Sequence, residues 1–257
     1  MMEDRSRCQF STEMKIIALL TALLVLSCSV VYAEEKKEGS GWKTHIEFSY
    51  VEASGNTDTK SSAGKLEIKN EEERNRYFLK GNILYAENND QETSNKFLVE
   101  GRWERRFTER MFGFLNGNYL RDKFSGYDYR VSGGPGLGYE IIKTETHQLK
   151  GLFSGLYYYD RFSKGTKNLD SYTTGKAAVY YLWQVMDNLK FKENTDYLIS
   201  FKEGDKYFIN SETAIEVKIK GNVSLGISYV VNYQNKLPSP ELKRIDTTFL
   251  TSLVIDF

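Results

Sequence analysis

The sequence has little cysteine, histidine or proline: two, two and three residues respectively among 257. Both cysteines, Cys8 and Cys28, precede residue 34, in a segment that export would remove. A mature exported chain without cysteine cannot depend on disulfides for its stability. Two histidines are also too few for a typical zinc site. We therefore predict no metal-binding residues, no cofactor-binding residues and no cofactor.

Long apolar runs are absent after residue 33, which excludes a helical membrane protein. The earlier residues contain a mostly apolar stretch at 16–31 and the tripeptide Val31-Tyr32-Ala33, which suits a signal peptidase. This stretch is preceded by the basic residues Arg5, Arg7 and Lys15. We predict a signal peptide over 1–33, cleaved after Ala33, and a short polar segment over 34–41.

Two other readings of the first residues are weaker. A membrane-anchoring helix is disfavoured because polar residues interrupt the apolar run, and a charged stretch follows too early for a comfortable span. A lipoprotein signal at Cys28 is disfavoured because Leu26 fits such a motif poorly. The sequence thus favours export with a cleaved leader.

The charge is balanced, with 35 basic and 35 acidic side chains interspersed along the chain. This balance argues against a nucleic-acid binder and against a polybasic membrane anchor. Aromatic residues reach 14%, including 18 Tyr and 15 Phe, while the mean hydropathy is negative. Two classes remain: a soluble all-β protein, or a transmembrane barrel whose strands are apolar on one face only.

Alternation with period two is the deciding pattern, because successive side chains of a strand point to opposite faces. It is clearest in two runs on either side of the turn Lys220-Gly221-Asn222, where only Val230 breaks the pattern of the second run. These two runs predict a β-hairpin. The same alternation begins at Trp42, and it recurs up to the carboxyl terminus.

Twelve strands follow from this pattern, and an even number suits a single-chain barrel with both ends on one side. We predict an all-β, closed antiparallel transmembrane β-barrel over residues 42–257, an up-and-down meander with both ends in the periplasm. Odd-to-even connections, such as 87–94 and 160–170, are longer and polar. Residues 67–80 could alternatively form a charged helix, but we favour a turn between strands. The fifth strand is ambiguous in facing, and the ninth carries Glu193 on the wrong face.

The two faces of the strands distinguish a membrane from water. The predicted outer faces are nearly free of charge over about ten residues, and aromatic side chains lie near the strand ends, as in membrane barrels. The inner faces carry too many charges to bury dry. The candidate lumen-lining residues are Lys43, Glu47, Lys65, Glu67, Lys80, Lys96, Glu100, Arg102, Arg130, Lys150, Lys176, Lys190, Lys192, Glu212 and Glu216.

The last strand alternates up to a terminal aromatic residue. This pattern resembles the carboxy-terminal signal of barrels that the outer-membrane assembly machinery receives. Its residues are Phe249, Leu253, Ile255 and Phe257. The expected partners are this machinery and the lipids of the outer membrane of a Gram-negative bacterium, and the barrel is expected to be a monomer.

The chain also resembles the family of salt-induced outer-membrane proteins, a domain of unknown function. The resemblance lies in Ser54-Gly55-Asn56-Thr57-Asp58-Thr59, in Arg121-Asp122-Lys123-Phe124, in Arg130 followed by Gly136-Leu137-Gly138-Tyr139, and in the terminal Phe. It extends over essentially the whole mature chain. It implies an outer-membrane barrel, and it brings no catalytic or ligand residues.

Three functions are compatible with this pattern. The first is a narrow pore for passive passage of small polar solutes or ions, and the second is a non-conducting structural or stress-related barrel in which the inner charges pair across the lumen. An outer-membrane lipid enzyme needs a histidine base beside a nucleophile, at a lipid site near the outer leaflet. It comes third, because both His45 and His147 follow predicted periplasmic ends and could not serve such a site. We predict no catalytic residues.

One glycine-rich segment needs a separate reading. Gly133-Gly134-Pro135-Gly136-Leu137-Gly138 resembles a dinucleotide-binding loop, but no amphipathic helix follows it. Glycines on the lumen face instead let a strand bend, and Pro135 suggests a β-bulge.

Overall fold

The computed structural model describes residues 41–53, 59–163 and 168–257. The predicted signal peptide and all but Gly41 of the polar segment lie outside these residues, as does most of the Ser54 to Thr59 element. Within the described ranges, no helix is long and apolar enough to cross a membrane.

Residues 42–257 form twelve antiparallel strands that close into one barrel. Each strand pairs with its neighbours in the chain, and the first strand pairs with the last. The strands are β1 (Trp42–Ala53), β2 (Thr59–Glu71), β3 (Asn75–Asn88), β4 (Gln91–Arg106), β5 (Met111–Asp122), β6 (Tyr127–Lys143), β7 (His147–Phe162), β8 (Leu169–Met186), β9 (Leu189–Ser200), β10 (Tyr207–Lys220), β11 (Val223–Gln234) and β12 (Ile245–Asp256). The predicted fold is confirmed.

The two ends of the barrel differ in their connections. We call one the turn end: it holds Trp42, Phe257 and the short connections β2–β3, β4–β5, β6–β7, β8–β9 and β10–β11. The opposite rim, with the remaining connections, is the loop end. At the turn end, Gly221 has a φ of 58°, which a glycine adopts without strain in the tight turn between β10 and β11. The stretch 67–80 contains the predicted turn, at residues 72–74, because β2 ends at Glu71 and β3 begins at Asn75.

The prediction of a long connection at residues 87–94 is wrong. β3 continues to Asn88 and β4 begins at Gln91, so the turn consists of Asn89 and Asp90, with φ values of 48° and 59°. Two consecutive positive φ angles are typical of a two-residue hairpin turn. The polar residues beside this turn extend the strands and had the appearance of a loop. The connection at 160–170 is likewise shorter, since β7 runs to Phe162 and β8 starts at Leu169.

The outer face is apolar and has aromatic residues near both rims. Towards the loop end, the Tyr119 and Tyr159 rings stack on the two sides of Tyr129, with centroids 6.4 and 6.2 Å apart. Towards the turn end, His147 stacks on Trp183 at 5.7 Å and on Tyr181 at 6.1 Å. Large exposed side chains between these rings include Leu79, Ile83, Leu115, Leu137, Phe153, Val179, Leu225 and Ile227. This arrangement is what a lipid environment requires of an outer surface.

The inner face of β5 resolves an ambiguity in the sequence. Phe112 and Phe114 point into the lumen and are buried, whereas Leu115 is exposed outside. Their rings occupy the space above two glycines of β6: a Cβ at Gly136 would lie 2.2 Å from Phe114, and one at Gly138 would lie 2.2 Å from Phe112. These glycines therefore make room for aromatic rings.

The predicted bulge at Pro135 is wrong. The register between β6 and β7 passes from Gly133–Tyr157 to Gly136–Ser154 without an extra residue. The register shifts instead near the two ends of β6, between Tyr127 and Tyr129 and between Glu140 and Ile142. Pro135 lies on the exposed outer face in register with Leu115 of β5.

Candidate functional site

The lumen is the candidate functional site, because the inner faces bring together charged side chains from strands that are not neighbours in the sheet. Three clusters of ion pairs fill it. We call them the Arg76, Lys65 and Arg130 clusters, after the cation at the centre of each.

The Arg76 cluster lies near the turn end. Arg76 of β3 contacts Glu104 of β4 through Nε at 2.7 Å, and its Nη1 donates to Glu140 of β6 at 2.7 Å. All three side chains are at most 4% exposed. The Arg76 guanidinium also lies 4.6 Å from the Phe112 ring centroid, a favourable cation–π distance. Arg102 contacts the other oxygen of Glu104 at 3.0 Å. The cluster thus joins β3, β4 and β6 through buried charges.

The Lys65 cluster links strands that are not neighbours in the barrel wall. Lys65 of β2 donates to Glu212 of β10 at 3.0 Å, and its Nζ lies 3.1 Å from Glu47 of β1. Lys80 of β3 lies 3.6 Å from the second oxygen of Glu212. Glu67 lies 3.6 Å from Lys65. Since β10 is four strands away from β2 around the sheet, these contacts cross the lumen.

Further pairs continue the Lys65 cluster towards the turn end. His45 lies between Glu47 and Asp256, with its Nε2 at 2.8 Å from Glu47 and its Nδ1 at 2.6 Å from Asp256. On β10, Glu216 accepts hydrogen bonds from Lys192 at 2.6 Å and from Lys190 at 3.3 Å.

The Arg130 cluster lies near the loop end. Arg130 of β6 donates two hydrogen bonds to Asp160 of β7, at 2.8 and 2.9 Å, in the bidentate geometry that makes such pairs strong. The hydroxyl of Tyr172 donates to the same carboxylate at 2.9 Å. The Arg130 guanidinium also lies 4.0 Å from the Tyr127 ring centroid and 4.8 Å from that of Phe208. Asp160 is completely buried, so its charge depends on these partners.

An apolar cluster surrounds this ion pair: Leu156, Tyr158, Tyr172, Leu198 and Phe208. Lys206, in the connection between β9 and β10, closes it from the loop end, with Nζ 2.9 Å from Asp170 and 3.4 Å from the Tyr172 ring centroid. Burial lowers the pKa of the Lys206 ammonium, against the opposing effect of Asp170. In the same connection, a hydrogen bond to Asp170 raises the pKa of Lys202. The fold therefore places a cation in a poorly hydrated position above the Arg130 cluster.

A cavity of about 130 Å³ lies beside these clusters, on the side formed by β10, β11, β12 and β1 to β4. The Lys65, Glu47 and Glu212 side chains form its floor, and it extends from them towards the loop end. The rest of its lining includes Ser49, Ala63, Asn82, Leu84, Lys96, Ser228, Val230, Asn232, Thr248, Leu250 and Ser252. It has room for a few water molecules.

Some sequence-predicted lumen residues lie outside the three clusters. Lys176 pairs with Asp196 at 3.1 Å, and Glu100 lines a small gap beside Arg102 and Lys176. Lys96 lies 3.9 Å from Asp122. Lys150 lies 3.7 Å from Glu140, at the edge of the Arg76 cluster. Lys43 is exposed at the turn end. The structure thus gathers most, but not all, of the predicted charges into ion pairs.

Sequence reasoning missed several residues at the centres of these clusters. Arg76, Asp160 and Tyr172 occupy inner positions of their strands, so the alternation of side chains could have found them. Lys206 lies in a connection, and no sequence pattern indicates that it folds inwards. In the described residues, no group of three or more His, Cys, Asp and Glu is arranged to hold a metal ion.

Comparison with known proteins supplies a family and several similar folds. The chain is 25% identical to the uncharacterised protein YdiY of Escherichia coli (strain K12) over 221 residues, which is 86% of this chain and 84% of YdiY. It is similar in fold to the NanC porin, with a TM-score of 0.47, 10% identity and coverage of 84% of this chain and 98% of that one.

Two further solved structures are similar. The translocator domain of the autotransporter NalP from Neisseria meningitidis gives a TM-score of 0.47 at 10% identity, over 96% of this chain and 97% of that one. An outer-membrane channel from Pseudomonas putida F1 gives 0.47 at 9% identity, over 87% and 97%. A family model matches residues 46–257, and the chain therefore belongs to the family of proteins of unknown function DUF481.

Proposed function

We propose that this outer-membrane β-barrel is closed along its axis and acts as a non-conducting structural barrel in the Gram-negative envelope. The observation that carries the proposal is the contact between Lys65 and Glu212, which crosses the lumen at 3.0 Å between strands that are four positions apart around the barrel. The Arg76 and Arg130 clusters occupy the part of the lumen beside the cavity, nearer the turn end and the loop end respectively. Among the three functions that the sequence allows, pairing of the inner charges favours the structural one.

The energetics of buried charges support a closed lumen. Removing one partner of a buried ion pair costs about 3 to 5 kcal/mol, because the other charge is left without compensation. A solute crossing the barrel would have to separate Lys65 from Glu212. The contacts of Lys65 with its other carboxylate partners would be lost as well. Thermal motion rarely supplies such an energy at several pairs together, so the resting barrel excludes solutes.

A narrow pore is the second candidate, and the cavity of about 130 Å³ beside the ion pairs favours it. Serine, threonine and asparagine side chains line part of this cavity, and such groups can hydrate a small polar solute. Its floor is formed by the Lys65 cluster. Conduction by this path requires that the floor open. The family resemblance also implies a salt-responsive role. Such a role would depend on the weakening of these ion pairs as ionic strength rises.

A lipid enzyme gains no support from the histidine contacts. His45 is hydrogen-bonded to two carboxylates, and His147 stacks on aromatic side chains on the outer face.

Export by a cleaved signal peptide and delivery by the assembly machinery remain part of the proposal, since both are needed to place the barrel in the outer membrane.

Swelling of liposomes in an isosmotic sugar solution tests the closed lumen. We expect liposomes with the wild-type barrel to swell in arabinose no faster than protein-free liposomes. A variant with alanine at Lys65, Lys192, Glu212 and Glu216 removes the pairs beneath the cavity and is expected to admit the sugar. The matched control replaces Asp128 and Arg161, an exposed ion pair at 3.7 Å near the loop end. Rapid swelling with the wild-type protein would instead support the pore.

A further inference from the structure

The joint between the first and last strands is much shorter than the other joints of the barrel. In the described residues, β1 and β12 are in register over four residue pairs, from His45–Asp256 to Phe48–Leu253. By contrast, β1 and β2 share twelve pairs, and β11 and β12 share eleven. Backbone bonds between Thr44 and Phe257 extend the joint by one position at the turn end. The joint is therefore confined to the half of the wall near that end.

Towards the loop end, both strands continue without this joint. β1 stays in register with β2 as far as Ala53, and β12 stays in register with β11 back to Ile245. In a bilayer, an interrupted ladder is costly, because hydrocarbon offers no partner to backbone polar groups. A barrel that keeps such an interruption has a place where its wall can part without breaking ladder bonds.

The cavity described above lies directly behind this interruption. It is lined from both sides of the joint, by Glu47 and Ser49 of β1 and by Thr248, Leu250 and Ser252 of β12. Continuing the register of the joint by one step would place Ser49 opposite Ser252. Both serines are small and buried, at 6% and 4% exposure. At this height, the inward-facing side chains on both sides of the joint are therefore small.

The chemistry of the cavity is that of a site for an amphiphile. Its walls include the apolar side chains of Ala63, Leu84, Val230 and Leu250. On the wall far from the joint, Lys96 of β4 is in register with Leu84 of β3. Lys96 has a long contact of 3.9 Å to Asp122, whereas Lys65 is surrounded by three carboxylates. Lys96 is therefore the cation in this cavity that is better placed to pair with an added anion.

We propose that the cavity is a lateral binding site for a single-chain anionic amphiphile of the fatty-acid class, which enters from the bilayer between β1 and β12. Its carboxylate pairs with Lys96, and the first part of its chain packs against Leu84, Val230 and Leu250. The remainder of the chain passes the joint beside Ser49 and stays in the hydrocarbon. This site is independent of whether the barrel conducts along its axis.

Native mass spectrometry of the full barrel with added palmitate tests the proposal. We expect one palmitate per wild-type barrel, and affinity about tenfold weaker in Lys96→Gln, because a hydrogen bond between charged groups is lost. The cavity-filling variant Leu250→Trp should lose the adduct. Added lysophosphatidylcholine should fail to displace bound palmitate, which would identify a free carboxylate as the recognised head group. Preferential binding of the phospholipid would refute this ligand class.

A disulfide across the joint tests the route. In a background with Cys8 and Cys28 replaced by serine, oxidised Ser49→Cys/Ser252→Cys should bind no palmitate, and dithiothreitol should restore binding. The matched control is Val51→Cys/Ser61→Cys, which bridges β1 to its regular partner β2 at two residues that do not line the cavity, and it should bind as the wild type does. The proposal is overturned if the wild type forms no adduct at saturating palmitate, or if the oxidised lock and Leu250→Trp both bind normally.

Discussion

His45 of β1 and Asp256 of β12 face each other across the joint that closes the barrel, with Nδ1 and Oδ1 2.6 Å apart. The other ring nitrogen lies 2.8 Å from Glu47, which in turn lies 3.1 Å from Lys65. Carboxylates accept hydrogen bonds and donate none, so an imidazolium that donates from both nitrogens satisfies this geometry. The closure of the barrel wall is thereby linked to the ion pairs that cross its lumen.

Replacing His45 should weaken the closure of the barrel. His45→Ala removes two hydrogen bonds to carboxylates, and we expect it to lower the free energy of unfolding by about 1 to 3 kcal/mol. Thermal unfolding of the detergent-solubilised barrel, followed by its shift on unheated gels, measures this effect. Asp128→Asn serves as control, since the exposed ion pair of Asp128 with Arg161 should contribute under about 1 kcal/mol. An unchanged midpoint for His45→Ala would show that the ladder alone holds the joint.

Replacing Arg76 should be more costly. Arg76→Ala leaves Glu104 and Glu140 buried without their main partner, and such a loss typically costs about 3 to 5 kcal/mol. Arg76→Lys keeps the charge but not the planar fork, so it should recover only part of the stability. Urea unfolding in detergent micelles provides the comparison. A loss below about 1 kcal/mol for Arg76→Ala would mean that water reaches this cluster freely.

The glycines of β6 should be intolerant of a methyl group. In Gly136→Ala, the new Cβ would lie 2.2 Å from the Phe114 ring, and overpacking of this kind costs about 1 to 3 kcal/mol. In a Phe114→Ala background the same substitution should cost much less, which a double-mutant cycle of unfolding free energies detects. Gly101→Ala, where a Cβ meets nothing within 4 Å, should be nearly neutral. Equal costs in both backgrounds would exclude the ring contact as the cause.

The terminal aromatic should matter for assembly in cells. Phe257→Ala removes the aromatic end of the predicted assembly signal, and we expect the amount of folded barrel in outer-membrane fractions to fall severalfold. The same variant should refold from urea into detergent almost as well as the wild type, because it keeps the two backbone hydrogen bonds between residue 257 and Thr44. A defect in detergent as large as the defect in cells would assign Phe257 a structural role only.

The number of strands and the facing of most residues were predictable because the environment imposes a binary pattern. A side chain in a barrel wall contacts either lipid or lumen, so alternation around Ile227 or Leu79 carries the information directly. The facing of β5 was not predictable, since the strand carries apolar residues on both faces: Phe112 and Phe114 on the inner face and Leu115 on the outer face. Their assignment depends on the space above Gly136 and Gly138, which another strand supplies.

The ion pairs across the lumen could not be predicted from the sequence. Inner charges such as Lys65 and Glu212 are identifiable one strand at a time, but their contact depends on the stagger of strands around the closed sheet. The prediction of a bulge at Pro135 was wrong for a related reason. Proline on an outer face in a regular ladder and proline in a bulge look alike until the register of the neighbouring strands is known.

The closed lumen is tested most directly by conductance measurements on the purified barrel in planar lipid bilayers. Insertion should be verified independently, by protease protection of reconstituted protein. We predict that the inserted wild-type barrel gives no current steps, whereas the variant with alanine at Lys65, Lys192, Glu212 and Glu216 gives discrete ones. Regular steps of uniform size from the wild-type barrel would contradict a lumen occluded by ion pairs.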